Sequence, residues 1–132
     1  MKEVKYKIAV SNWLAKAEED IKWAKHSYRD KVYYGTCFIC EQAAEKALKA
    51  FLLYYGNKFP KIHDLTRLIK ECEKYQKNFS QLIAKATILS MYYIETRYPD
   101  LGEFQHYNQK QAKIALNYSL YIIKFVKKYL EQ

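Results

Sequence analysis

Two side chains in this sequence could complement each other chemically, Arg97 and His106. A guanidinium offers a rigid fork of donors matched to phosphate oxygens and stays charged without help from its surroundings. A histidine near neutral pH could take the proton of a ribose 2′-hydroxyl while Arg97 stabilises the charge growing on the phosphate, which would cleave RNA without a metal. Each residue also has a plainer account. Arg97 could cap the preceding helix at its C-terminus, where a cation is favoured, or tie down the turn at Pro99. His106, beside Tyr107, could simply be an exposed loop histidine, and that reading is favoured. Eight residues separate the pair, Pro99 and Gly102 among them, so no single helix holds both and only a folded loop could join them. The same stretch offers Tyr98, Asp100 and Tyr107 as ligand-contacting groups.

Other candidates carry less. His63 precedes Asp64 at the expected start of a helix, where an anion could bind. Asp64 occupies that position itself as an N-cap, which leaves His63 to pack or hydrogen-bond in the loop. Cys37 and Cys40 form a Cys-x-x-Cys pair, but no second ligand pair accompanies it and Cys72 stands alone, so no metal site is expected. Both fall on an apolar helical stripe, as buried small side chains do. The aromatic cluster Met91, Tyr92, Tyr93 and Tyr98 could cover a dimer seam, with Tyr92 off the inward stripe. Three glycines cannot build a phosphate-binding loop, and no cofactor is implied.

The elements that must position these groups are helices. Glycine (3) and proline (2) are too scarce to punctuate many short strands. Apolar residues recur at spacings of three and four in five segments. The first runs from about Tyr6 to Tyr28, with Val10, Leu14, Ala17, Ile21, Ala24 and Tyr28 inward and Trp23 turned toward a partner. The second runs from Tyr33 to Tyr55, with Glu45 and Lys49 on its outer face and a left-handed stop at Gly56-Asn57. The third covers Asp64 to Tyr75, and the fourth Ser80 to Glu95 with Leu82, Ile83, Ala86, Leu89 and Tyr93 inward. The fifth spans Asn108 to Leu130 and opens on an Asn108–Gln111 capping box. One apolar stripe per helix and short connections predict an all-α, up-and-down antiparallel bundle of about five helices, forming a single domain over residues 1–132.

Lysine and arginine number 23 against 14 acids, a formal charge of +9. The excess is spread along the chain, which permits anionic partners such as nucleotides or RNA without demanding them. Residues 1–7 lack the apolar run of a signal peptide, no segment approaches the roughly 20 apolar residues of a membrane span, and an odd number of cysteines suits a reducing compartment. A cytoplasmic protein with no membrane contact is the expectation.

Four blocks occur in a telling order. Trp13, Ala17 and Asp20-Ile21 lie on the first helix, and Gln42 to Ala50 reads QAAEKALKA on the second. His63-Asp64-Leu65 opens the third helix, and Arg97-Tyr98-Pro99-Asp100 follows the fourth. In this the chain resembles the HEPN family (higher eukaryotes and prokaryotes nucleotide-binding) over nearly its whole length. The resemblance implies a helical bundle that is usually a homodimer and often acts with a small nucleotidyltransferase partner. Some branches are metal-independent ribonucleases of toxin–antitoxin systems, with an arginine, an adjacent polar residue and a histidine after about four to six intervening residues, up to about two helical turns on. Here Tyr98 follows Arg97 and His106 comes later than that pattern. The favoured function is therefore a nucleotide- or RNA-associated binding module. A metal-independent endoribonuclease and a passive helical dimerisation protein are the alternatives.

Overall fold

The computed structural model describes residues 2–56, 61–97 and 107–130, with side chains described for 7–56, 61–92 and 107–130. Helix α1 is Lys2–Arg29, α2 is Tyr33–Gly56, α3 is Leu65–Glu73, α4 is Ile83–Arg97 and α5 is Gln109–Leu130; a 3₁₀ helix, Lys77–Leu82, leads into α4. No strand occurs among the described residues. The expected all-α bundle of five helices is the observed one.

Local chemistry sets the helix ends. Lys31 takes a left-handed conformation (φ 63°), the N–H of Val32 donates to the Ser27 carbonyl at 2.8 Å, and that of Lys31 donates to Tyr28 at 3.1 Å. This Schellman closure stops α1 and reverses the chain into α2. Asp64 caps α3, its carboxylate accepting from the Thr66 N–H at 3.0 Å. Asn108 and Gln111 bond reciprocally at the start of α5, each side chain accepting from the other's backbone N–H at 2.9 Å, as the capping box requires. Gly56 departs from expectation. It is helical, not left-handed, and a Cβ there would lie 2.7 Å from the Tyr75 hydroxyl, so the glycine makes room for that ring.

α2 is the axis of the bundle, packed by α1, α5, α4 and α3. Thr36, Ala43, Ala44, Ala47 and Ala50 are fully buried around it together with Cys37, Cys40, Leu48 and Phe51, so α2 is enclosed on nearly all sides. The one-stripe expectation fails for this helix. Its small residues let several neighbours approach, which a single apolar face does not require.

The antiparallel order of α1 and α5 is fixed at both ends: Leu130 packs against the cluster of Val10, Ala50 and Leu53, and Gln109 Nε2 donates to the Tyr28 hydroxyl at 3.1 Å. An aromatic row fills one end of the core. Phe79 lies 4.2 Å from Phe51 and 5.0 Å from Phe125 between ring centroids, and the Tyr55 hydroxyl donates to the Tyr129 carbonyl at 3.0 Å. Deep in the α2–α5 contact, Ser119 Oγ donates to the Cys40 carbonyl at 2.7 Å. The inward side of α4 carries Ala86, Leu89 and Tyr92, each three residues apart, and continues the side begun by Leu82 at the end of the 3₁₀ helix. Tyr92 is thus a core residue and not part of an outward seam, whereas Met91 is exposed.

Candidate functional site

The burial of α2 carries charge inward with it. Glu41, Glu45 and Lys49, four residues apart, share one side of the helix and all are buried. The expectation that Glu45 and Lys49 face outward is therefore corrected. Lys49 Nζ donates to Glu45 Oε2 at 2.8 Å and lies 5.9 Å from the centroid of the Trp13 ring on α1. On the next turn, Gln42 Nε2 donates to Glu41 Oε1 at 2.7 Å. Asp20 of α1 pairs with Lys46, which ties α1 to α2 through charge as well as packing.

His63 completes the cluster. Its Nδ1 lies 3.1 Å from the same Glu45 Oε2 that accepts from Lys49. A carboxylate oxygen accepts, so this contact is a hydrogen bond in the form of the ring that carries a hydrogen on Nδ1. Glu45 Oε1 is buried with no hydrogen-bond partner. The histidine side chain is 61% exposed while the carboxylate is 7% exposed, so the cluster runs from the interior to the surface where α3 begins. A histidine oriented by a carboxylate is the form of an acid–base pair. As structure, the same contact fixes the loop before α3 against the central helix. Sequence reasoning reached His63 and Asp64 but missed Glu41, Glu45 and Lys49. The available signal was their spacing of four on a helix otherwise rich in alanine.

The remaining predicted residues cluster at one connection. Arg97 is the last residue of α4, and its side chain lies outside the described set, as do Tyr98, Asp100 and His106. Tyr107, where the described chain resumes, is half-buried against the core. Its ring meets that of Tyr92 edge-on, centroids 5.5 Å apart at 84°. Tyr92 stands five residues before Arg97, about 7.5 Å along the helix axis. The chain that leaves α4 at Arg97 therefore returns beside the same helix end.

Metal and thiol chemistry find no support among the described residues. No group of three or more histidine, cysteine or acidic side chains could hold a metal ion. Cys37, Cys40 and Cys72 are buried free thiols. Burial, helped by Cys37 and Asp20, pushes the Cys40 thiol far above its ordinary range, and burial with Glu71 and Glu73 does the same to Cys72. Neither is poised as a nucleophile.

Residues 10–129 match the family model of the HEPN domain. The chain belongs to the HEPN family. Solved structures share its fold. TT1696 from Thermus thermophilus is 31% identical with a TM-score of 0.83, covering 90% of this chain and 96% of that one. ST0689, described as an archaeal HEPN homologue, is 27% identical with a TM-score of 0.75, covering 91% and 96%. An HEPN domain protein from Thermotoga maritima, 22% identical with a TM-score of 0.73 and covering 92% and 98%, shares the fold. No curated protein sequence matches the chain. Among the described residues no helix is long and apolar enough to cross a membrane.

Proposed function

We propose that this protein is a nucleotide- or RNA-associated HEPN-type binding module of the cytoplasm that acts as a homodimer with a small nucleotidyltransferase partner. The observation that carries the reading is how charge divides between interior and surface. Among the described side chains Asp20, Glu41 and Glu45 are buried and one lysine, Lys49, is buried with them, so burial withdraws more negative than positive charge from the described surface. Such a surface concentrates phosphate-bearing partners. Membership of the HEPN family points to the same ligand class. The ligand-contacting group in this reading is Arg97 with Tyr98, Asp100, Tyr107 and His63. Anisotropy of a labelled short single-stranded RNA and of labelled ATP tests it at low salt, about 50 mM, with a steep loss of affinity as salt rises. Arg97→Ala weakens binding about tenfold or more, about 1.4 kcal/mol. Absence of binding to both probes at low salt would overturn the reading.

The Tyr92–Tyr107 contact favours a second reading, a metal-independent endoribonuclease, because it returns the chain to the helix end that bears Arg97. His106 would take the 2′-hydroxyl proton as that oxygen bonds to phosphorus. The bond from phosphorus to the 5′-oxygen would break, the leaving oxygen would take a proton from water, and a cyclic phosphate would remain. Cleavage in chelator that vanishes in both Arg97→Ala and His106→Ala selects this reading. Intact RNA after long incubation selects the binding module.

A further inference from the structure

A groove of about 970 Å³ runs between α1 and α5. Its floor is apolar, with Ile21 on one side and Leu120 and Ile123 on the other beside the rings of Tyr121 and Phe125, and Leu120 is 37% exposed. Its rims are lysines: Lys22 and Lys25 on α1, Lys124 and Lys128 on α5. These four are exposed and make no ion pair among the described residues. Among the described residues one carboxylate lines the groove, that of Glu18, and it is held at 2.7 Å by Lys127.

We propose that this groove docks an acidic amphipathic helix of a partner protein. The floor fits a stripe of apolar side chains, and the two lysine rims fit Asp and Glu on either flank of that stripe. The length agrees: from Glu18 to Lys25 the groove follows α1 for about 10 Å, two helical turns, enough for anchors at i, i+3 or i+4, and i+7. Single-stranded nucleic acid fits less well. Bases need open ring faces for stacking, but Lys85 Nζ already lies over Tyr121 at 4.5 Å. Phe125 is 8% exposed with Lys128 Nζ 5.4 Å from its centroid. A second copy of this chain, applied face to face, would set lysine rim against lysine rim. The inference does not rest on the nucleotide or RNA reading.

The test uses the full chain and three labelled probes: a helical peptide with a leucine stripe flanked by glutamates, the same residues scrambled, and a short single-stranded RNA. The striped peptide is expected to bind at least about tenfold more tightly than the scrambled one. Leu120→Gln on the floor and the double change Lys22→Glu with Lys25→Glu on a rim each weaken it about tenfold, with thermal stability followed in parallel to show that the variants remain folded. RNA affinity is unchanged by Leu120→Gln. Equal binding of striped and scrambled peptides, or no peptide binding, overturns the proposal. So does displacement of the peptide by RNA with equal loss of both in Leu120→Gln, which would make the groove a nucleic-acid site.

Discussion

His63 Nδ1 lies 3.1 Å from a carboxylate oxygen of Glu45 that also accepts from Lys49, so one buried acid answers to a surface histidine and a buried lysine together. The two partners do not contribute alike. Lys49 is 8% exposed at its side chain, and loss of Glu45 would take a 2.8 Å carboxylate partner from its buried ammonium, whereas His63 is largely in water. Glu45→Ala is expected to destabilise the protein by about 3–5 kcal/mol. His63→Ala should cost no more than about 1 kcal/mol. Replacing the pair with apolar residues, as in Glu45→Leu with Lys49→Met, should recover most of the loss. Chemical denaturation of the four proteins decides it, and a double variant no better than Glu45→Ala would refute this account of the buried pair.

Lys31 sits in the left-handed region that a Cβ disfavours, because the α1–α2 reversal needs that conformation. Glycine adopts it without steric cost. Lys31→Gly should therefore stabilise the fold by about 1 kcal/mol, seen as a higher denaturant midpoint at unchanged slope. A lower midpoint would mean that the lysine side chain makes a contribution larger than its backbone strain.

How far the fold was legible follows from which forces are local. The stripes of α1 and α5 show in the sequence because each helix buries one side, and Val10, Ala17, Ile21, Ala24, Ala112, Ala115, Ile122 and Val126 are all buried as their spacing requires. Asp64 and the Asn108–Gln111 pair act on backbone within three residues, so their capping was equally readable. Enclosure of α2 was not, since it depends on how many neighbours arrive and not on a stripe. Glu45 and Lys49 then look like any exposed pair four apart. Tyr92 and Tyr93 could not be separated because a helical repeat of 3.6 permits steps of three or four after Leu89. At the candidate site, Arg97 was marked by its place before Tyr98-Pro99. The His63–Glu45 contact joins residues 18 apart through a loop, and no local pattern announces it.

Phe79 belongs to the short 3₁₀ helix, yet it is fully buried between Phe51 and Phe125. A single residue of a six-residue element thus joins α2 to α5. Phe79→Ala removes a whole ring from a packed row and is expected to cost about 3–5 kcal/mol, while Phe79→Leu costs less because most of the volume remains. Equal losses from the two substitutions would show that ring geometry, and not filled volume, sets the energy there.

The buried thiols give the protein an alkaline limit. Burial raises the pKa of Cys40 and Cys72 in the fold, whereas in the unfolded chain they ionise near the ordinary value of about 8.5. As pH rises past that value the unfolded state loses these protons first. The stabilisation is therefore complete below about pH 8.5 and declines above it, by up to about 1.4 kcal/mol per pH unit for each thiol. Denaturant midpoints measured from neutral to strongly alkaline pH should fall more steeply for the native sequence than for Cys40→Ala with Cys72→Ala, even though the variant starts from lower stability. A thiol-specific reagent should leave Cys37, Cys40 and Cys72 unmodified in the folded protein and label all three in denaturant, since each is fully buried. Parallel midpoint curves for the two proteins would assign the alkaline loss to other groups.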